Sequence, residues 1–112
     1  MESGDPQVSR GDTLALIAGS GAHMLLRDRP DKFNRLGPAP TPFGLSGPLY
    51  RARLGEAHFL FLPRHGEIGH EIAAPWINYR ANIYALKERG VSRIMAWSGP
   101  GAIDFSLAIG QY

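Results

Sequence analysis

The stretch Ile77–Trp97, INYRANIYALKERGVSRIMAW, reads as a helix followed at once by a strand. Pro75 lies just ahead of the helical part, Asn78 to Arg89, and Gly90 just behind it, the placement expected at a helix start and stop. Its apolar residues wrap most of the circumference, which predicts a helix that is mostly buried. Val91 to Trp97 is a short, mainly apolar run that meets a turn at Ser98-Gly99-Pro100-Gly101, the signature of a strand.

Toward the N-terminus, Leu49 to Leu54 (LYRARL) alternates, placing Leu49, Arg51 and Arg53 on one face and Tyr50, Ala52 and Leu54 on the other. Gly55-Glu56 reads as a tight turn, and Ala57 to Leu62 (AHFLFL) as the returning strand of a hairpin stopped by Pro63. Arg64 to Ala74 reads as loop. Residues 28–48 hold five of the nine prolines and read as one long loop, a kind of segment that usually carries function. Leu14 to Ala18 (LALIA), closed by Gly19-Ser20-Gly21, suits a buried strand. Residues 1–12 read as a flexible, solvated leader. The order of strand, long loop, hairpin, helix and strand is an α/β pattern: a mixed central sheet with flanking helices. One long helix cannot cover both faces of such a sheet. A face left open for another chain, or for more of the same chain, is therefore expected.

The chain has 112 residues, one domain's worth, with 44% apolar and 20% charged residues, an ordinary globular composition. It has no cysteine, which removes disulfide scaffolds, thiolate metal sites and cysteine nucleophiles. No apolar run approaches the roughly 18 residues of a membrane span, and the polar start lacks a secretory pattern. These features agree with a cytoplasmic protein. The net charge is +2. Ten of the twelve basic residues are arginines, scattered among acids from Arg10 to Arg93, so no nucleic-acid footprint emerges.

Three segments could carry chemistry. Gly19-Ser20-Gly21 after a strand lacks the third glycine of a dinucleotide fingerprint, a position held by Met24. Its backbone N–H groups and hydroxyl still suit an anion, and a plain glycine turn fits equally well. Arg64-His65, at the mouth of the strand ending at Pro63, can donate to an anion or serve a structural salt bridge. His65 and His70, with Glu67 and Glu71 in RHGEIGHE, do not match zinc-helix spacing, so no metal is expected. Neither Ser98 nor Ser46 sits in a hydrolase elbow.

Taken together, LIAGSG (16–21), TPFGLSGPL (41–49), FLPRHG (61–66), INYRANIYALKERGV (77–91) and Trp97-Ser98-Gly99 resemble the methylthioadenosine phosphorylase branch of the trimeric purine nucleoside phosphorylase family. The resemblance implies a nucleoside phosphorylase-like α/β fold. It also implies phosphorolysis of a purine nucleoside to free base and sugar 1-phosphate. Inorganic phosphate would be the co-substrate, with no cofactor, and the chain would assemble as a homo-oligomer, a trimer or hexamer. By that resemblance Ser20, Arg64, His65, Ser98 and Gly99 bind phosphate, and His65 also faces the sugar as a catalytic residue. Pro100-Gly101-Ala102-Ile103-Asp104-Phe105 departs from the family's usual Gly-Ser-Leu-Arg-Glu. Residues 13–112 would form the N-terminal portion of a larger domain, without the half that reads base and sugar. This chain alone would then be inactive. Two other readings are a nucleoside hydrolase on the same fold, which needs no phosphate, and a non-catalytic fragment retaining an anion site.

Overall fold

The computed structural model describes residues 13–98, 103–104 and 106–108. The expected leader, residues 1–12, lies outside them. So do Gly99, Pro100 and Gly101 of the turn after the last strand.

Among the described residues, seven strands and two α-helices follow in the order β1 (Thr13–Ala18), α1 (Ala22–Asp28), β2 (Phe33–Gly37), β3 (Pro40–Thr41), β4 (Gly44–Leu45), β5 (Leu49–Leu54), β6 (Ala57–Pro63), α2 (Tyr79–Glu88) and β7 (Val91–Trp97). Five strands make one mixed sheet in the order β2-β5-β6-β1-β7; β3 and β4 pair separately. β1 is parallel to both β6 and β7, while β5 runs antiparallel to β2 and β6. This is the mixed sheet expected, with the 49–62 hairpin in register from Tyr50↔Phe61 to Leu54↔Ala57. Gly55, at φ 61°, turns the hairpin where a side chain would be strained.

The alternation of the strands sorts the core onto two faces. Ala15, Leu49, Leu60 and Leu62 pack with Ala85 and Leu86 of α2. Ala18, Tyr50, Ala52 and Phe61 pack on the other face with Ala22 of α1, joined by Leu26 and Phe33. Each large side chain taken fully out of water, such as Leu62 or Phe61, contributes about 1.5–3 kcal/mol.

Three expectations are corrected here. The span 28–48 is not one loop. It contains β2, a 3-10 turn at Pro30–Lys32 and the small β3–β4 pair. No proline falls within Phe33–Gly37, and a strand on the sheet edge needs only one ladder, so the prolines flank it without breaking it. Second, the face away from α2 has a helix of its own. The seven residues of α1 were hidden by their brevity and by the glycines ahead of them. Third, α2 is buried on one side only, through Ala81, Asn82, Ala85 and Leu86, while Tyr79 and Ile83 are exposed. Among the described residues β7 is an edge of the sheet, and its Ile94, Met95 and Trp97 are exposed.

Candidate functional site

The parallel registers decide where the site lies. Ala18 aligns with Pro63 on one side and with Trp97 on the other, so β1, β6 and β7 end at the same level. The residues that follow, Gly19-Ser20, Arg64-His65 and Ser98, therefore emerge together at the carboxyl ends of three strands, where α/β sheets gather ligands. Backbone bonds tie the ends: Gly19 N–H donates to Trp97 O at 2.8 Å, and Arg64 N–H to Ala18 O at 3.0 Å.

A cavity of about 180 Å³ opens beside these ends, lined by Ser20, Gly21, His23, His65, Gly66 and His70 among others. It is smaller than the roughly 300–1,000 Å³ of sites for drug-sized ligands and has the scale of a small anion. Ser20 is exposed and His65 is buried at its wall. Arg64 does not line it. Its guanidinium lies over Gly19, with Nη1 donating to Trp97 O at 3.1 Å, on the β7 side. Ser98 is exposed at the end of β7, and Gly99 lies outside the described residues.

His65 is held from within its own loop. Its Nδ1 stands 2.8 Å from Ile72 O, and Ile72 N–H donates back to His65 O at 2.9 Å. A carbonyl only accepts, so Nδ1 carries the proton and Nε2 remains available to a ligand. The His70 ring stacks on His65, centroids 3.8 Å apart. Oε1 of Glu71 accepts from the N–H groups of Glu67, at 2.6 Å, and Ile68, at 3.1 Å. Among the described residues, no group of three or more His, Asp or Glu side chains is placed to hold a metal. No helix there is long and apolar enough to cross a membrane.

A second set of residues secures this loop to the sheet. Arg35 of β2 grips Glu67 with both ends of its fork, Nε to Oε1 at 2.7 Å and Nη2 to Oε2 at 3.0 Å. Tyr50 of β5, the cross-strand neighbour of Arg35, donates its hydroxyl to the same carboxylate. The bond from Arg35 lowers the Glu67 pKa from its ordinary value. Burial, then the hydrogen bond to Glu67, push the Tyr50 phenol up to about 12. Sequence reading missed Arg35 and Tyr50, because nothing in the spacing of positions 35, 50 and 67 brings them together before the strands pair. It also passed over the asparagines of INYRAN. Asn78 caps α2 by accepting from Ala81 N–H and donates to Phe43 O, while Asn82 accepts from Gly47 N–H. Two asparagines four apart share one helix face, which is a signal the sequence does carry.

No protein-family model matches the chain. Individual relatives do. The chain is 38% identical over 109 residues to S-methyl-5'-thioadenosine phosphorylase of Ciona intestinalis, matching 96% of this chain and 36% of that protein. It is 37% identical over 99 residues to the 6-oxopurine nucleoside phosphorylase of Pyrococcus furiosus, matching 88% and 35%. The fold superimposes on the solved structure of methylthioadenosine phosphorylase from Schistosoma mansoni in complex with adenine. The TM-score there is 0.58 at 38% identity, covering 76% of this chain and 28% of that one. The architecture is thus the nucleoside phosphorylase fold in part. The chain spans little more than a third of the length of the curated relatives it matches.

Proposed function

We propose that this chain, whose sequence and fold match the N-terminal part of methylthioadenosine and 6-oxopurine nucleoside phosphorylases, supplies the phosphate-holding strand ends of an enzyme that cleaves purine nucleosides by phosphorolysis. One observation carries the reading. Three parallel strands end level, and the residues just past them place a hydroxyl and an imidazole at one small cavity and a guanidinium over the adjoining Gly19.

The chemistry asks for such a set. Breaking the bond between sugar and base builds positive charge on the sugar ring, as in glycoside cleavage. Phosphate is the nucleophile: its oxygen bonds to the anomeric carbon, and the bonding pair leaves with the base, which takes up a proton. A phosphate ion must be held in advance by donors and positive charge. In this reading Ser20 Oγ–H and the N–H groups of Gly19–Gly21 bind phosphate oxygens. His65 Nε2 meets phosphate on the side that faces the sugar. Arg64, lying over Gly19, adds positive charge beside the site, and Ser98 and Gly99 are assigned to phosphate by the family resemblance. No cofactor is required, since phosphate itself is the co-substrate. The name of the Ciona relative favours a methylthio nucleoside as substrate, and assembly into a homo-oligomer in the cytoplasm goes with the same reading.

Inorganic phosphate titrated into the chain, followed by amide NMR shifts, tests it. Shifts centred on residues 19–22 and 64–66 are expected. Shifts elsewhere, or none at millimolar phosphate, overturn the phosphate site. Release of adenine from methylthioadenosine by the full-length gene product should depend on phosphate; release in its absence would make the enzyme a hydrolase.

A further inference from the structure

Loop 64–72 has no regular secondary structure and contains Gly66 and Gly69, yet it must hold His65 steady. Ordering such a loop costs about 1–2 kcal/mol of backbone entropy per residue, so something must fasten it. Its ends are secured by strand β6 and by the paired bonds between His65 and Ile72. Its middle is braced internally by Glu71, which accepts from the N–H groups of Glu67 and Ile68. Glu67 ties the loop to strands β2 and β5, through Arg35 and Tyr50.

We propose that Glu67, clasped by Arg35 and Tyr50, is a positioning residue for the anion site: it fixes the loop so that the His65 ring stays on the cavity wall. The inference rests on the reading of that cavity as the phosphate site. The clasp is two-sided. Arg35 is fixed along β2 by its register with Tyr50, and Tyr50 is fixed in turn by packing against Phe61. The carboxylate is thus referred to the sheet itself. From Glu67 the restraint passes through Gly66, whose N–H donates to Pro63 O at 3.1 Å and which packs so closely under the Glu71 side chain that no Cβ would fit. His65 is the next residue.

Charge separates this role from a plain electrostatic one. Glu67 is an acid two residues from His65. Removing its charge should strengthen anion binding if Coulomb attraction alone acted. A positioning role has the opposite sign.

The test compares the unaltered chain with Glu67→Gln, Arg35→Lys and Arg35→Lys/Glu67→Gln. Two quantities are read: phosphate affinity by NMR titration, and hydrogen exchange of the Ile72 amide, which donates to His65 O. Expected for Glu67→Gln is phosphate binding weakened about tenfold, the scale of a lost charge-assisted bond, with faster Ile72 exchange. Arg35→Lys keeps the charge but loses the fork, and should do the same to a smaller degree. The double variant should be no worse than Glu67→Gln, because both changes break one clasp. Unchanged or tighter phosphate binding in Glu67→Gln, with Arg64→Ala still losing phosphate, overturns the positioning role and leaves the phosphate site standing. If the unaltered chain binds no phosphate, the phosphate site falls, and Ile72 exchange alone decides: faster exchange in Glu67→Gln upholds the clasp, and unchanged exchange sinks it.

Discussion

The guanidinium of Arg64 rests on Gly19, so closely that a Cβ built on Gly19 would stand 2.7 Å from Arg64 Nη2. The glycine after β1 thus makes room for the side chain of Arg64, just past the end of β6, rather than serving its own backbone angles. Gly19→Ala should displace Arg64 and break its 3.1 Å bond to Trp97 O. Because the colliding group is the far end of a flexible side chain, stability should fall by less than about 1 kcal/mol. Phosphate affinity should fall about tenfold or more, as one charged donor moves away. Chemical denaturation paired with phosphate titration checks both; a large loss of stability with normal phosphate binding would refute the prediction.

His65 uses one ring nitrogen for structure and leaves the other for a ligand. Asparagine reproduces the reach of Nδ1 but has nothing at Nε2. His65→Asn should keep the bond to Ile72 O and stay within about 1 kcal/mol of the parent stability, while phosphate binding weakens severalfold. His65→Gln, which cannot replace the Nδ1 donor as well, should lose both. Equal phosphate affinity in His65→Asn and the unaltered chain would remove His65 from the site.

How much of this was legible in the sequence follows from how local each cause is. The 49–62 hairpin was legible because alternation is local and Gly55 marks the turn. The level ends of β1, β6 and β7 were approached through the motifs Gly19-Ser20-Gly21 and Arg64-His65, which sit just past apolar strands. What stayed hidden depends on contacts remote in sequence. β2 becomes a strand because β5 is there to pair with it, and Phe33 finds Phe61 at 4.9 Å only after the sheet forms. The seven residues of α1 are helical against Phe61 and Ala18, too short to be marked by periodicity. Arg35, Tyr50 and Glu67 meet across three elements, and no spacing rule links them.

The clasp should make stability depend on pH at both ends of the scale. Glu67 titrates below its ordinary value because Arg35 bonds its ionised form. Its contribution is present above the unfolded carboxylate value, about 4.3, and is lost as pH falls through the depressed folded value. Tyr50 is raised to about 12 by burial and by its bond to Glu67. Its contribution is present below the unfolded value of about 10 and is lost as pH rises toward the folded one. Urea unfolding across pH should show the acid decline shrink in Glu67→Gln and the alkaline decline shrink in Tyr50→Phe. Superimposable curves for parent and variants would mean the clasp does not couple to folding.

Asn82 shows the cost of leaving a buried partner behind. It is 3% exposed, in the second turn of α2, and its Oδ1 accepts from Gly47 N–H at 2.7 Å. One turn earlier, Asn78 donates to Phe43 O at 2.8 Å while capping the helix. The two asparagines hold the segment 43–47 against α2. Asn82→Ala leaves the Gly47 N–H with no acceptor in a partly buried place, which costs about 1–3 kcal/mol. Asn78→Ala removes the cap as well as the bond to Phe43, about 1 kcal/mol for the cap alone. Because both act on one segment, the double variant should lose less than the sum of the singles; once the segment has come away, the second bond has nothing left to hold. Denaturant midpoints of the three variants measure this directly, and strict additivity would show that Phe43 and Gly47 are held independently.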